Sequence, residues 1–295
     1  MSRHIAREIS YASSAGTRGG RALIRVIENA TGRLSLIRRA EGYDRDVAAG
    51  RDFWQVMVDR YGIRLDLAGG SLANIPATGP DVVVANHPYG ILDGLVMGHI
   101  LSRTRGEFRI LAHRVFRRSE DLNRVILPVS FDGTREAVEQ NLRTRAETLD
   151  WLGQGGAIGI FPGGTVSTAA RPFGRAMDPV WRSFTARMLA RSDAVVVPVW
   201  FDGANSRLFQ IASHMHMTLR LALLIREFRV RLRDPVRLVI GAPIPRAAID
   251  ARRGDGKAMM DFLRRSTYDL SPEPHRSCDY GLEFEEKYRT RSGDS

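Results

Sequence analysis

The amino-acid sequence predicts an α/β fold, in which a mixed, mainly parallel sheet is covered by helices and preceded by a helical N-terminal region. Two observations predict it. From residue 81 onward, short runs rich in valine, isoleucine and leucine alternate with stretches of helical periodicity. These runs are continuously apolar, as expected of strands covered by helices on both faces. A chain of 295 residues with 43% hydrophobic content is long enough to bury a substantial core.

Residues 1–75 are rich in arginine and carry helical patterns rather than strands. Within residues 53–61, apolar side chains recur with the helical period, which predicts an amphipathic helix. Residues 21–40 form a basic amphipathic segment. Such a segment fits an anionic membrane surface, although a helix packed on its own domain gives the same pattern more often. We therefore treat residues 1–75 as a basic helical region with possible membrane-surface contact.

The α/β domain is expected to span residues 76–270. Its strands are predicted at residues 82–85, 108–112, 126–129, 157–161 and 194–199, with helices at about 93–103, 134–152 and 179–191. Residues 207–228 predict one long core helix, and residues 229–245 predict strands broken near Asp234 and Pro235. Residues 271–295 form a polar tail that we expect to be loosely held.

Arginine dominates the charge of the protein. The 44 basic residues exceed the 33 acidic ones, which gives a formal net charge of +11, and Lys257 and Lys287 are the only lysines. The planar guanidinium suits phosphate and carboxylate groups, so the charge is compatible with nucleic acid, an anionic membrane surface or an anionic substrate. Neither zinc-finger spacing nor an aromatic-basic RNA motif accompanies it, and we expect no nucleic-acid partner.

Several catalytic classes lack their motifs in this sequence. There is no G-x-S-x-G, and Lys257 lacks the spacing and the following hydroxyl residue of a P-loop. H-E-x-x-H is absent and Cys278 is the single cysteine, so we expect no metal ion. No uncharged apolar run approaches the ~20 residues that cross a bilayer. We expect a cytoplasmic protein that can attach to the inner face of the membrane.

The stretch VVVANHPYGILDG, residues 82–94, leads from a predicted strand into His87, a turn and Asp93. Ligand sites in open α/β sheets lie at the carboxyl ends of strands, where His87 falls. Pro88 and Gly90 allow a turn that brings His87 to Asp93 in the first turn of the next helix. That carboxylate would orient the imidazole as a general base for a substrate hydroxyl. Alone, a helix-capping aspartate and a loop histidine explain the same residues.

A second motif, IGIFPGGTVS at residues 158–167, also follows an apolar strand. Its glycine-rich turn exposes backbone N–H groups that could bind an oxyanion or a phosphate. On its own the motif is a weak signal, because junctions between strands and helices are commonly glycine-rich. The order of the two motifs along the chain carries more information than either motif does.

Together the two segments resemble the glycerolipid and lysophospholipid acyltransferases, the family of bacterial 1-acylglycerol-3-phosphate acyltransferase. That family has N-H-x-x-x-x-D after one strand, F-P-E-G-T-R-S after a later one, and a V-P-V strand beyond it. Residues 86–93, 161–167 and 197–199 follow in the same order, and residues 239–244 are similar to its late strand. The resemblance covers about residues 80–245 and implies the family's fold.

The resemblance implies transfer of an acyl group from a thioester, acyl-CoA or acyl carrier protein, to the hydroxyl of a lysolipid at the membrane surface. It implies no bound cofactor, no metal and no covalent acyl-enzyme. His87 would be the general base and Asp93 its orienting partner. The substrate-binding residues it implies are Asn86, Phe161, Pro162, Gly163, Gly164, Thr165 and Ser167, and the arginines that could hold an anionic headgroup are Arg114, Arg117, Arg118, Arg171 and Arg175.

The sequence departs from the family's pattern in two places. Five residues separate His87 from Asp93, where typical members have four. Gly163 and Val166 stand where the family's block has glutamate and arginine. Loss of that arginine removes a charge-assisted contact to the phosphate of the acceptor. We therefore expect a lyso-aminolipid acceptor, of the ornithine, glutamine or sulfur-containing kind, whose headgroup carries a carboxylate or sulfonate.

Three other interpretations stay open at this point. The protein could be a lysophosphatidic acid acyltransferase whose phosphate is held by other arginines. It could be a basic, membrane-associated scaffold without activity, which a wide separation of His87 and Asp93 would favour. A nucleic-acid-binding protein is supported only by the charge.

Overall fold

The computed structural model describes residues 10–113, 120–130, 134–273 and 279–284. The helices, in chain order, are α1 (Arg18–Thr31), α2 (Arg33–Ala40), α3 (Tyr43–Ala48), α4 (Phe53–Tyr61), α5 (Ile91–Arg105), α6 (Glu120–Val125), α7 (Arg135–Gly153), α8 (Ser183–Leu189), α9 (Arg207–Met215), α10 (Met217–Arg231), α11 (Arg246–Asp250) and α12 (Gly256–Tyr268). The strands are β1 (Leu65–Gly70), β2 (Asp81–Ala85), β3 (Phe108–His113), β4 (Ile126–Val129), β5 (Ala157–Ile160), β6 (Thr168–Ala169), β7 (Ala176–Met177), β8 (Val195–Phe201) and β9 (Val236–Ile240).

The main sheet has seven strands in the order β1-β9-β8-β2-β5-β3-β4. Neighbouring strands are parallel, except that β8 and β9 run antiparallel. Val83 of the central strand packs into one apolar cluster with α1, α4, α5 and α10, and Val82 packs into another with α8 and α12. Because both faces are buried, the strands need apolar side chains on both sides, which confirms the predicted α/β class.

The predicted strands and the helices that became α5 and α7 are present, with bounds that differ by a few residues. The helix predicted at 179–191 is shorter, because the segment that precedes α8 is held in an extended form by its own contacts. Trp181 donates from Nε1 to Asp178 Oδ2 at 2.9 Å, and the backbone N–H of Arg182 donates to the Pro162 carbonyl at 2.8 Å. The helix therefore begins at Ser183.

The prediction of helices without strands before residue 75 is wrong at its end. Leu65–Gly70 forms β1, a sheet-edge strand that pairs in parallel with β9. Its residues do not alternate between buried and exposed positions, and Leu65 and Leu67 are exposed. Such an edge strand lacks the continuous apolar run that marks the central strands, so its sequence gave no strand signal. The boundary between the N-terminal region and the α/β domain stays a prediction.

The helix predicted at 207–228 is two helices. At His216 the backbone is extended, with φ −163° and ψ 138°, and the ring accepts a hydrogen bond from Thr218 N at 3.0 Å, which caps α10. The apolar pattern continues across this break, so periodicity alone does not reveal it. Residues 229–231 end α10 instead of forming a strand, and Val236–Ile240 is the strand after Pro235.

The basic amphipathic segment packs on the rest of the molecule. Helix α1 lies along α10, and its Ile24 and Glu28 are fully buried. The Glu28 carboxylate accepts hydrogen bonds from Ser10 Oγ at 2.5 Å and from Tyr11 N at 2.7 Å. Leu23, Val26 and Leu34 stay exposed on the outer side. Within the described residues, no helix combines the length and the apolar character needed to cross a bilayer.

Part of the polar tail is docked, contrary to the loose arrangement predicted for it. Gly281 N donates to the Asp178 carbonyl and Leu282 N to the Thr168 carbonyl, both at 2.9 Å. Glu283 accepts two hydrogen bonds from Arg182, at 2.8 and 2.9 Å. These contacts join residues more than a hundred positions apart, so the local composition of the tail could not predict them.

Candidate active site

His87 and Asp93 meet where β2 gives way to α5. Asp93 is the third residue of α5, and its Oδ2 lies 3.0 Å from His87 Nδ1. The same oxygen accepts hydrogen bonds from Tyr89 N at 2.8 Å and Gly90 N at 3.0 Å. Gly90 has a φ of +83°, which favours glycine at this turn. Asp93 thus caps the helix and contacts the histidine with the same oxygen. The helix-capping aspartate and the His-Asp pair, which were alternatives in the sequence, are therefore both present.

The Asp93 carboxylate is fully buried. Burial raises its pKa, and the hydrogen bonds from His87, Tyr89 and Gly90 oppose that rise. A carboxylate oxygen only accepts hydrogen bonds, so the proton between the two side chains belongs to His87 Nδ1. In the neutral imidazole, Nε2 is then the unprotonated nitrogen that can accept a proton.

The His87 side chain is 18% exposed and lines an apolar cavity of about 190 Å³. Phe161 stacks on the imidazole, with ring centroids 4.3 Å apart and an interplanar angle of 25°. The cavity extends between α5, β3 and the segment before α8. Its other lining residues include Trp54, Gly94, Leu95, Ile110, Leu122 and Phe184. The arrangement places a base at the wall of a space suited to an aliphatic chain.

The glycine-rich block lies beside His87. Phe161, Pro162 and Gly164 line the cavity. Gly163 is buried against Asp178, where a Cβ would lie 3.4 Å from the carboxylate. The Ser167 backbone N–H donates to the His87 carbonyl at 2.8 Å, and this bond fixes the block against the histidine loop. Gly163, Thr165 and Ser167 are not part of the cavity lining, and the substrate-binding roles that the resemblance implies for the block stay predictions.

Asp178 is a site residue that the sequence analysis missed. Its fully buried carboxylate accepts hydrogen bonds from the backbone N–H of His87 at 3.2 Å, from Trp181 Nε1 and from the Ser167 hydroxyl. One carboxylate therefore joins the histidine loop, the glycine-rich block and the segment before α8. The sequence offers only a weak signal for it, an Asp-Pro pair in an otherwise apolar stretch.

The other predicted residues either do not line the cavity or lie outside the described residues. The amide of Asn86 is buried and pairs with the backbone of Phe201, accepting at 2.7 Å and donating at 2.9 Å, so it ties β2 to β8. Arg171 and Arg175 are exposed. Arg114, Arg117 and Arg118 lie outside the described residues. Within the described ranges, no group of three or more His, Cys, Asp or Glu side chains is placed to hold a metal ion.

Arg182 was also missed. It lines the cavity, is 5% exposed, and forms a two-pronged ion pair with Glu283 of the docked tail segment. The pairing offsets its charge inside the protein. The carboxylate partner comes from the end of the chain, which no local pattern could indicate.

The model of the acyltransferase family matches residues 46–273, and the chain belongs to that family. The match begins before the predicted start of the α/β domain and includes α4 and β1.

Two curated relatives are similar to this chain in sequence. The lyso-glycine lipid O-acyltransferase of Phocaeicola vulgatus is 26% identical over 228 residues, which cover 75% of this chain and 78% of that protein. The lyso-glycine lipid O-acyltransferase of Bacteroides thetaiotaomicron is 25% identical over 166 residues, covering 54% of this chain and 56% of that protein. Among solved structures, the 1-acyl-sn-glycerophosphate acyltransferase PlsC of Thermotoga maritima matches with a TM-score of 0.45 and 16% identity over 90% of this chain and 87% of that one.

Proposed function

We propose that the protein is a lysolipid O-acyltransferase that moves a fatty acyl group from an acyl thioester to the hydroxyl of a lyso-aminolipid. The observation that carries this proposal is the pair of His87 Nδ1 and Asp93 Oδ2, 3.0 Å apart, on the wall of an apolar cavity. The pair supplies a base, and the cavity suits an acyl chain. Membership of the acyltransferase family supports the same reaction.

In the proposed mechanism, His87 Nε2 takes the proton of the acceptor hydroxyl while the oxygen attacks the thioester carbonyl. Asp93 stabilises the imidazolium that forms and keeps the ring oriented. The tetrahedral intermediate collapses by breaking the C–S bond, and the leaving thiolate takes the proton from His87. One ester and one thiol are formed for each thioester and alcohol consumed, so neither a metal nor a redox cofactor takes part in the balance.

The acceptor we favour is an aminolipid. Gly163 and Val166 leave the glycine-rich block without the glutamate and arginine of the family pattern, and both curated relatives act by name on a lyso-glycine lipid. A lyso-aminolipid offers a free hydroxyl on its 3-hydroxyacyl chain and an anionic headgroup. Lyso-glycine lipid is accordingly the first acceptor to test, before the ornithine, glutamine and sulfur-containing kinds.

We further propose that the protein binds the inner face of the membrane through a surface that we call the Phe173 surface. The loop between β6 and β7 packs on α9, since Arg207 Nη1 donates to the Gly174 carbonyl at 2.7 Å and His214 Nε2 lies 2.9 Å from the Ala169 carbonyl. Phe173 is 79% exposed. The surface consists of the exposed apolar side chains Phe173, Leu208, Met215 and Met217 and the arginines Arg171, Arg175 and Arg207. Apolar side chains among arginines suit an anionic bilayer.

Product formation by purified protein tests the proposed function. Mixed acyl-CoA and acyl carrier protein donors would be supplied with lyso-glycine lipid, lyso-ornithine lipid or lysophosphatidic acid, and the products identified by mass spectrometry. We expect acylation of the aminolipids. If only lysophosphatidic acid were acylated, the proposed reaction would stand and the proposed aminolipid acceptor would be wrong. If no product formed with either donor type, the proposed acyltransferase activity would be wrong.

A further inference from the structure

Arg220 is a buried cation that the proposed mechanism does not use. It lies near the start of α10, is 3% exposed, and is covered by the rings of Phe284 and Phe209, at 4.1 and 4.9 Å from the guanidinium carbon. The described residues provide no carboxylate as an ion-pair partner for it. Burial lowers its pKa to about 9, so it stays charged at neutral pH. A buried charge without a partner of opposite sign is unusual in a folded protein.

The guanidinium holds the end of the glycine-rich block. Nη2 donates to the Val166 carbonyl at 2.8 Å and to Thr165 Oγ1 at 3.0 Å. Nη1 donates to Thr168 Oγ1 at 2.6 Å and to Ser213 Oγ at 3.0 Å. A guanidinium has donors only, so all three hydroxyls accept from it and must direct their own protons elsewhere.

Two of these hydroxyl protons have acceptors inside the protein. Ser213 donates to the Phe209 carbonyl at 2.7 Å, and Thr168 donates to the Val166 carbonyl at 3.0 Å. The third hydroxyl, that of Thr165, has no acceptor among the described residues. Thr165 is partly exposed and follows Gly164, which lines the cavity. Its proton is therefore available to a ligand beside the cavity, with a positive charge directly behind it.

The position of this charge accounts for the departure at Val166. The side chain at that position lacks the charge of the family's arginine, yet its carbonyl oxygen is 2.8 Å from a guanidinium that comes from α10. The cation beside the end of the block therefore comes from a helix more than fifty residues further along the chain. It reaches a ligand through the Thr165 hydroxyl and not by direct contact, because its own terminal N–H groups are occupied.

We propose that Arg220 is a positioning residue that directs the Thr165 hydroxyl toward the anionic oxygens of the acceptor headgroup and thereby favours anionic acceptors. Thr165 does not line the apolar cavity, so the ligand beside it is the headgroup and not the acyl chain. This inference rests on the proposed function and adds to it the residue pair that selects the headgroup.

The test compares two acceptors that differ in one charge, lyso-glycine lipid and its methyl ester, with lysophosphatidic acid as a third arm. The readout is the ratio of kcat/KM for the acid to kcat/KM for the ester. We expect Thr165→Val to lower this ratio about ten- to a hundredfold, the loss typical of a hydrogen bond to a charged group, and Thr165→Ser to restore it. Arg220→Lys should lower it too, since an ammonium cannot make the same four bonds. Thr104→Val, a partly exposed threonine near the end of α5, is the matched control.

Equal losses for acid and ester would overturn the proposal, because Arg220 would then only hold the loop. An unchanged ratio in Thr165→Val, with acylation of lysophosphatidic acid unchanged too, would overturn it as well, and this variant keeps the packing if Arg220→Lys fails to fold. A loss confined to lysophosphatidic acid would support the pair while assigning phosphate as its ligand. If the wild-type protein acylates none of the three acceptors, the proposed function itself fails. That outcome is distinct from the two above, in which the wild-type protein is active and only the role of Arg220 and Thr165 fails.

Discussion

The turn between β2 and α5 is formed so that one buried oxygen serves three donors. Asp93 Oδ2 accepts from two backbone N–H groups and lies 3.0 Å from His87 Nδ1, so the helix start and the histidine orientation depend on the same atom. The residue inserted relative to the family pattern falls in this turn, where Gly90 takes a positive φ. The pair therefore forms despite the longer spacing.

Replacement of either member of the pair should disable the enzyme without unfolding it. We expect His87→Ala to lower kcat by about 10²- to 10⁴-fold, the usual contribution of a general base. Asp93→Asn should also lower kcat strongly, because an amide does not stabilise the imidazolium. His99→Gln, a buried histidine on α5 outside the site, serves as the control. Near-normal turnover in His87→Ala, measured as product per enzyme, would contradict the proposed role.

Asp81 should make the stability of the protein depend on pH. Burial at the start of β2 raises its pKa from 3.8 to about 7, and Arg105 opposes the rise only in part. The raised pKa favours the folded state at low pH, and this contribution is lost as the pH rises through 7. Between pH 5 and 8.5 the loss from this group is on the order of 2 to 3 kcal/mol in the free energy of unfolding.

The measurement is chemical denaturation of the wild-type protein and Asp81→Asn at both pH values. We expect the advantage of Asp81→Asn over the wild type to be larger at pH 8.5 than at pH 5. Parallel changes in the two proteins would show that Asp81 does not titrate in this range.

At the scale of elements, the glycines of α5 have two different tasks. Gly98 allows α5 to approach α4 closely, since a Cβ there would lie 2.2 Å from the ring of Trp54. Gly94, one turn earlier, faces open space in the cavity, and a Cβ there would meet no atom within 4 Å. The same residue type thus serves packing at one position and cavity volume at the other.

Gly98→Ala should destabilise the protein. Overpacking against a buried ring costs about 1 to 3 kcal/mol, which exceeds the gain in helix propensity. Gly153→Ala at the end of α7, where a Cβ meets no atom within 4 Å, is the control and should be neutral or stabilising. The thermal unfolding midpoints of both variants and of the wild type measure this effect. A midpoint of Gly98→Ala equal to that of the wild type would refute the packing argument.

Gly94→Leu should shift the acyl-chain preference toward shorter chains. The added side chain would fill part of the cavity of about 190 Å³ beside His87. Leu122→Ala, which enlarges the same cavity at another lining position, should shift the preference toward longer chains. Competition among acyl-CoA donors, followed by mass spectrometry of the product, measures the shift. Identical chain-length distributions in both variants would indicate that the acyl chain binds elsewhere.

At the scale of the whole molecule, the Phe173 surface combines exposed arginines with apolar side chains that the described residues do not cover. Phe173→Ser should weaken binding to anionic vesicles by about tenfold, because a large apolar side chain no longer enters the interface. Val138→Ser, which removes an exposed apolar residue on α7, is the control.

Flotation with phosphatidylglycerol and phosphatidylcholine vesicles measures this effect. We expect binding to the anionic vesicles to fall as salt rises, since screening weakens the attraction of the arginines. Equal binding by Phe173→Ser and the wild type would place the membrane contact on another surface, such as the exposed side of α1.

The sequence by itself determined the α/β class, the central strands, α5 and α7, and the two motifs, because these depend on continuous apolar runs and on turn residues close together in the chain. The location of His87 after a buried strand followed from the same local pattern. The same local patterns gave two wrong predictions. One continuous helix was predicted through His216, because the apolar stretch continues across the helix break, and β1 was not predicted, because a strand at the sheet edge needs no apolar run.

Only the tertiary structure decided which charges surround the site. Asp178 contacts the backbone of His87 across 91 positions, Arg220 reaches the glycine-rich block from α10, and the partner of Arg182 is Glu283 from near the end of the described residues. A buried charge is tolerated where partners meet it in space, and those partners have no fixed spacing in sequence. For this reason the absence of an arginine at position 166 could be read from the sequence, whereas the contact of Arg220 with the Val166 carbonyl could not.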